Sequence, residues 1–327
     1  MKILRTIKVP TGHIYIAQGE LGKKLEFLSI GDYGKARNVK ADFLGLTKEI
    51  NGVEDGNIMP LSEKWVITTS TQYGCSQGCR FCDVPKVGPG INATLNDLIN
   101  QVTYVVAMHP EVRNAKRINH HFARMGEPTF NPAVIDAAYK LKLWFMARGW
   151  PYHAVVSTMM PKMYRGIATF LERWIDYKNN ACNGEAGLQL SINSTDDEQR
   201  LQQFGPNSRN LNDISNIMNS IVTKPCLGRK IALNFAVTNS TIIDAQKLAD
   251  LFDPAIYMCK LTPIHVTKNS EQHSLFTHGG YSLYDVYREH EENLKQAGFD
   301  VIVFVPSLEE DKSRITCGNA ILADKEK

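Results

Sequence analysis

No stretch of the 327-residue chain approaches the roughly 18 consecutive apolar residues that would span a bilayer. Its first residues, MKILRTIKVPTGHIYIAQ, also lack the apolar run of a secretory signal. A cytoplasmic protein with no membrane partner is the expectation. Charge of one sign is scarce too. The net charge of +3 permits a nucleic-acid partner but falls short of the excess seen in strongly electrostatic binders. Cysteine is sparse and odd in number, at seven, with three of them clustered. That count does not suit a secreted disulfide framework and fits a reducing compartment better. A hydrophobic content of 43% against 22% charged residues allows a full core, as one large domain with an appendage or as two modest ones.

Alternation of strand and helix patterns dominates what is present. GHIYIAQ and KKLEFLSIG are short β-type runs bounded by glycines, in a first segment that looks β-rich and separate. From about residue 65 the pattern changes. KWVITTS, RINHHFAR, HAVVST, LQLSIN, KIALNFAVT, AIYMCKLTPI and DVIVFVP all read as strands. Between them lie helices: one from about Thr94 to before Pro110, one capped by Asn131 with Pro132 at its first position and ending at Gly149, and one from a Ser282/Asp285 capping box to Gly298. DYKNNACNGEAG (176–187) and HVTKNSEQHSLFTHGG (265–280) read as surface loops, and the end of the chain as polar loop. Strands spaced by helices imply parallel βαβ units. About six such units suggest a full or partial (β/α) barrel with its site at the C-terminal ends of the strands. The expected division is a β-rich extension over 1–60, a partial (β/α)6 barrel over 61–306 and a C-terminal loop over 307–327.

The residues with the strongest chemical signal are Cys75, Cys79 and Cys82, in STQYGCSQGCRFCDVPKVG. A structural zinc site takes four ligands, and no fourth Cys or His follows between Cys82 and Gly90. A 4Fe–4S cluster accounts for three thiolates better, since they leave one iron for an outside ligand, with zinc as the alternative. Gly74 and Gly78 are expected to let the loop wrap closely.

The Cys-x3-Cys-x2-Cys spacing resembles that of the radical S-adenosylmethionine (SAM) superfamily, and further motifs resemble its RlmN/Cfr family of rRNA adenosine methylases. STQYGCSQGCRFC, RMGEPTFNP, VVSTMMP, LQLSINSTDDEQR, KLTPIH and RITCGNAIL follow the family's motifs in order, from about Glu54 to Leu322. The resemblance implies that Cys75, Cys79 and Cys82 hold the cluster and that SAM chelates its free iron. It implies that Gly126, Glu127, Ser157, Ser191, Ile192, Asn193 and His265 contact SAM, with Asn193 where the family has His and His265 where it has Asn. It implies that Cys317 is the methyl carrier, with Glu54 near the place of the general base that takes the ring proton from the adduct. An RNA or nucleotide substrate and an electron donor such as flavodoxin are implied as partners. The chain departs from the family at Thr68, where a second cysteine releases the product by disulfide formation. It also has a β-rich start in place of a helical accessory domain. A non-methylating radical SAM enzyme with another substrate, or a non-catalytic iron–sulfur protein that binds nucleic acid, is the alternative.

Overall fold

The structure is a computed structural model that describes residues 1–32, 58–225, 227–306, 308–317 and 320–322. A ten-stranded sheet organises it. Three antiparallel strands come first: β1 (Lys2–Val9), β2 (Gly12–Gln18) and β3 (Lys24–Ile30). β3 then pairs antiparallel with β4 (Trp65–Thr69), so the N-terminal strands continue the main sheet. A small hairpin of β5 (Gln72–Gly74) and β6 (Pro89–Asn92) stands apart from it and brackets the cysteine loop.

Beyond β4 the sheet is parallel through β7 (Ile118–Phe122), β8 (Tyr152–Thr158), β9 (Gly187–Ser191), β10 (Ile231–Val237), β11 (Tyr257–Pro263) and β12 (Asp300–Val303). The crossovers are helical, in order α1 (Leu95–Ala107), α2 (Ala133–Met146), α3 (Ile167–Asp176), α4 (Asp197–Phe204) with α5 (Leu211–Ile221), α6 (Ala245–Leu251), and α7 (Lys268–Gln272) with α8 (Asp285–Gln296). Six strand–helix crossovers and a closing strand make the expected partial barrel, with the sheet order running from β1 to β12. Period-two patterning sets the two faces of each strand. In β10, Ile231, Leu233, Phe235 and Val237 are buried in the core that includes Leu211 and Ile214 of α5 and Leu248 of α6. Each such side chain contributes about 1.5–3 kcal/mol by burial. The opposite face carries Gln189, Ala232 and Lys260 toward the barrel interior, where they help line a cavity of about 360 Å³.

Local signals place most helices. Thr94 accepts from Asp97 N at 3.0 Å while Asp97 returns the bond, which fixes the start of α1. Asn131 Oδ1 accepts from Ala133 N at 3.1 Å at the start of α2, and Gly149 follows that helix with φ +69°.

Four local expectations need correction. Ser282 does not cap α8: its hydroxyl donates to Gly279 O, and Asp285 pairs instead with Arg288 at 2.7 Å. The 176–187 stretch is not a surface loop throughout: α3 runs on into a π-turn, Tyr177–Ala181, and only Asp176, Asn180 and Asn183 are exposed. Lys178 is fully buried there, its ammonium satisfied by the Gly184 and Leu227 carbonyls. Within 265–280, Thr267 and Ser270 form a capping box that starts α7. Near the chain end a further helix, α9 (Leu308–Lys312), buries Glu310 and Asp311. In each case a polar residue is held by a partner distant in sequence or by a local cap, so hydrophilicity misreads its position.

Candidate active site

The loop after β5 carries the three clustered thiols. Its shape depends on glycine at two points. Gly74 has φ +84°, and a Cβ there would lie 2.1 Å from Gly88 O; Gly90 has φ +83°, and its Cβ would lie 2.3 Å from Ser76 N. Gly78 differs from the expectation, since a Cβ there meets nothing within 4 Å. The loop is tied to later elements as well. Thr267 Oγ1 donates to Phe81 O at 2.9 Å and Asn269 Nδ2 to Cys82 O. The Asp83 carboxylate accepts from Lys268 N and Asn269 N, both at 3.0 Å, at the first turn of α7.

Burial pushes the Cys75 thiol up to about 12, followed by repulsion from Cys82 and Glu127, against N–H donors from Gln77 and Gly126. Burial likewise carries Cys82 to about 12 and Cys79 well above the ordinary thiol value, with repulsion between the thiols adding to both. Left bare, three such groups would stay protonated. As thiolates they need a cationic centre, which a ferric–ferrous cluster provides. Among the described residues no group of three or more His, Cys, Asp or Glu is disposed to hold a metal ion. A cubane sets its thiolates on three different irons, so they need not converge on one point as zinc ligands do. The donor set and the open space at Gly78 fit a cluster.

The other expected residues stand at the C-terminal ends of the strands. Gly126 follows β7 with φ +95°, and a Cβ there would meet Gln72 Cβ at 2.6 Å. Glu127 is buried. Its Oε1 accepts from Thr129 N at 3.2 Å and Thr129 Oγ1 at 2.7 Å, and its Oε2 from Met159 N at 3.1 Å. Burial raises its pKa against the lowering effect of those bonds. The carboxylate therefore joins the ends of β7 and β8. Ser157 lies in β8 opposite Gln189 and is half-buried. Ser191 ends β9, and Ile192 puts its side chain in the core, offering only its backbone to the site. Asn193 adopts φ +61°, a left-handed conformation that Asn tolerates. Its Nδ2 donates to Gln203 Oε1 and its Oδ1 accepts from Ala236 N, each at 3.0 Å.

His265 follows β11 and belongs to a polar cluster. Its Nδ1 lies 3.0 Å from Asp311 Oδ1 and 2.9 Å from the Tyr281 hydroxyl, while Thr316 Oγ1 donates to Asp311 at 2.6 Å. Burial raises the Asp311 pKa, but the hydrogen bond and charge of His265 and the bonds from Thr316 and Tyr281 outweigh it and hold it low. Cys317, next to Thr316, is pushed up to about 12 by burial, then by the charge of Asp311. The 265–269 segment touches both loops, His265 pairing with Asp311 while Thr267 and Asn269 donate to Phe81 O and Cys82 O, so it holds the C-terminal loop next to the cysteine loop. Glu54 lies outside the described residues, as does Cys226. Thr68 lies in β4 opposite His121 of β7. Cys182 and Cys259 are buried in the core.

Sequence reasoning missed Arg200 on α4, whose side chain is fully buried. Its guanidinium donates to four carbonyls: Arg209 O at 2.8 Å, Ser191 O and Ile192 O at 2.6 Å, and Met159 O at 2.7 Å. Burial lowers its pKa to about 10, while Asp197 and Cys79 favour its charge. It thus joins the ends of β8 and β9 close to Cys79. DDEQR in the LQLSIN motif reads as a polar helix start, so no local signal marked it. A basic interior was missed as well. His121 is pushed down to about 3 by burial and then by the charges of Lys260, Arg229 and Lys64.

No family model matches the chain. It is 28% identical to the dual-specificity RNA methyltransferase RlmN of Sulfurovum sp. over 61% of its own length and 53% of that protein's. It is 30% identical to the protein of the same description from Nautilia profundicola, over 62% and 54% of the two lengths. The chain spans about half the length of the curated relatives it matches. A solved radical SAM methyltransferase from Sphaerobacter thermophilus superposes with a TM-score of 0.63, 16% identity, and coverage of 93% of this chain and 76% of that one. That likeness is one of fold.

Proposed function

We propose that the chain is a divergent member of the RlmN/Cfr-like family of radical SAM methyltransferases and an enzyme methylating an adenine-type base in RNA through Cys317. The anchoring of both loops to one segment, 265–269, supports this reading, because a carrier thiol has to work near the cluster. Cys75, Cys79 and Cys82 would hold three irons of a 4Fe–4S cluster. Bound there with SAM, the cluster would supply one-electron chemistry that yields a 5′-deoxyadenosyl radical, given an external donor such as flavodoxin. The chain's part is positioning and exclusion of water. Burial keeps Cys317 a thiol until a base removes its proton, and the His265–Asp311–Tyr281 cluster orients the loop that presents it. Glu127 and the ends of β8 and β9 form the wall on which SAM would rest. The relatives' description as RNA methyltransferases supports RNA as the substrate class. The six described cysteines are free, which supports a reducing compartment such as the cytoplasm.

Anaerobic expression followed by peptide mass spectrometry tests the carrier role. S-methylation at Cys317, about four irons per chain and 5′-deoxyadenosine formed from SAM are expected. An unmodified Cys317 would sink the carrier role, and loss of all three signals would sink the radical reading with it.

One observation favours a second reading, a radical SAM enzyme that does not release a methylated base by this route. Thr68 offers a hydroxyl where a thiolate is required, and the described cysteines outside the site, Cys182 and Cys259, are core residues. Thr68→Cys separates the two. Gain of methylated RNA by the variant marks Thr68 as the block, whereas unchanged inactivity with a methylated Cys317 favours another acceptor.

A further inference from the structure

We propose that the buried Glu26–Arg124 ion pair is the positioning device for Cys317, making the N-terminal strands part of the support of the active site. The proposal rests on the reading above only in taking Cys317 as the working thiol. Glu26 lies in β3 and Arg124 just beyond β7, and at 0% and 5% exposure neither is a surface charge. Arg124 Nε donates to Glu26 Oε1 at 2.8 Å. Nη2 also pairs with Glu26 Oε1, at 2.5 Å, and the guanidinium reaches the C-terminal loop as well: Nη1 donates to Ile315 O at 2.9 Å and Nη2 to Arg314 O at 2.7 Å. From the far side of Cys317, Ile321 N donates to Glu26 Oε2 at 2.8 Å. One ion pair thus grips the loop both before and after the cysteine.

Stability alone does not account for this pair. A buried ion pair loses about as much in desolvation as it gains in attraction, and a well-packed apolar pair often does as well. An apolar pair cannot supply three directed hydrogen bonds to an otherwise irregular backbone. Arg314 is held at φ +61°, a conformation that persists in a non-glycine residue only when its surroundings fix it. Ile315, Ala320 and Ile321 are buried around the pair, and Cys317 lies in sequence between the two fastened points. The bonds are local to the loop's own geometry, so their loss should free the loop before it unfolds the barrel.

The test uses the full chain, purified anaerobically, as Glu26→Gln and as the double variant Glu26→Leu with Arg124→Met. The double variant removes the grip without stranding a buried charge, so it remains foldable if the single one is not. Hydrogen exchange followed by mass spectrometry should show peptides over 314–321 exchanging at least about tenfold faster, with β11 peptides over 257–263 and iron content unchanged. The fraction of chains S-methylated at Cys317 should fall in step. Unchanged exchange over 314–321, equal acceleration in β11, or undiminished S-methylation despite a loosened loop would each overturn the positioning role. A wild-type chain with no S-methyl group would sink the carrier reading alone, because the exchange result is read independently of it.

Discussion

The loop bearing Cys75, Cys79 and Cys82 is bent by its own left-handed glycines, Gly74 and Gly90, within the β5–β6 hairpin, and is then tied to the first turn of α7 through Phe81, Cys82 and Asp83. The loop bearing Cys317 takes its shape from elsewhere, through Glu26, Arg124 and His265 on three different strands or strand ends. Two thiol-bearing loops at the same end of the barrel therefore differ in what shapes them: the first has left-handed glycines of its own besides its ties to α7, and the second relies on side chains carried by distant strands. That difference sorts the perturbations that should damage one loop while sparing the other.

Gly74→Ala should have the largest effect. The new Cβ would lie 2.1 Å from the Gly88 carbonyl oxygen at a φ of +84°. Strain and overlap together should cost about 3–5 kcal/mol, concentrated in the cysteine loop. Iron content after anaerobic reconstitution should drop well below that of the wild type, while hydrogen exchange over 314–317 stays as it was. Retained iron would show that the loop can refashion itself and that the contrast with the Cys317 loop is overstated.

Arg200→Met comes next. Four carbonyls would lose a charged donor that no water replaces in so buried a place. The expected loss is about 2–3 kcal/mol in chemical denaturation, moderated because the cost of burying the charge disappears too. Iron binding should weaken because α4, which Arg200 anchors, also holds the cysteine loop through the Arg80 N to Gln203 O bond, and the Cys317 loop should again be spared. A denaturation midpoint equal to the wild type's would contradict the assignment of Arg200 as the tie between β8 and β9.

Legibility in the sequence divides along the same line. Cys75, Cys79 and Cys82 could be read because their spacing and flanking glycines are local, and the parallel strands because a period of two is local. The start of α1 could be read from Thr94 for the same reason. Glu26 and Arg124 could not. Each is a charged residue in a strand-like run, and what marks it as buried and paired is a partner 98 residues away. Asn193 and His265 were aligned to family positions by order alone. The structure adds what each now touches, Gln203 and Ala236 for the first and Asp311 and Tyr281 for the second. Lys178 and Asp311 read as loop residues because hydrophilicity reports composition and gives no account of which carbonyl or imidazole waits to receive the charge.

Acid should act on the Cys317 loop through Asp311. Its carboxyl is held below the usual range, so its contribution is complete above the ordinary carboxylate pKa of about 4. The contribution is lost as the pH falls through the lowered folded value. Asp311→Asn keeps the size of the side chain and removes that dependence. The variant should lose about 1–2 kcal/mol at neutral pH and show a flatter acid limb in stability measured from pH 7 to pH 3. An acid limb unchanged by the substitution would remove His265, the partner of Asp311, from the set of distant residues on which the contrast depends.

Thr94→Ala should have the smallest effect and serves both loops as the control. Thr94 caps α1, and its hydroxyl also donates to Glu20 at 2.6 Å on the surface. Loss of a capping hydroxyl costs about 1 kcal/mol. The Thr94 hydroxyl bonds neither loop, although Asp97 of the same cap also accepts from the Tyr73 hydroxyl of β5 and α1 packs against β3 and β4. A global loss of that size should lower the denaturation midpoint while leaving iron content, exchange over 314–317 and S-methylation of Cys317 where they were. If this modest and remote loss loosened the Cys317 loop as much as Glu26→Gln does, that loop would be reporting overall stability, and its dependence on three distant side chains would no longer distinguish it from the loop that glycine builds.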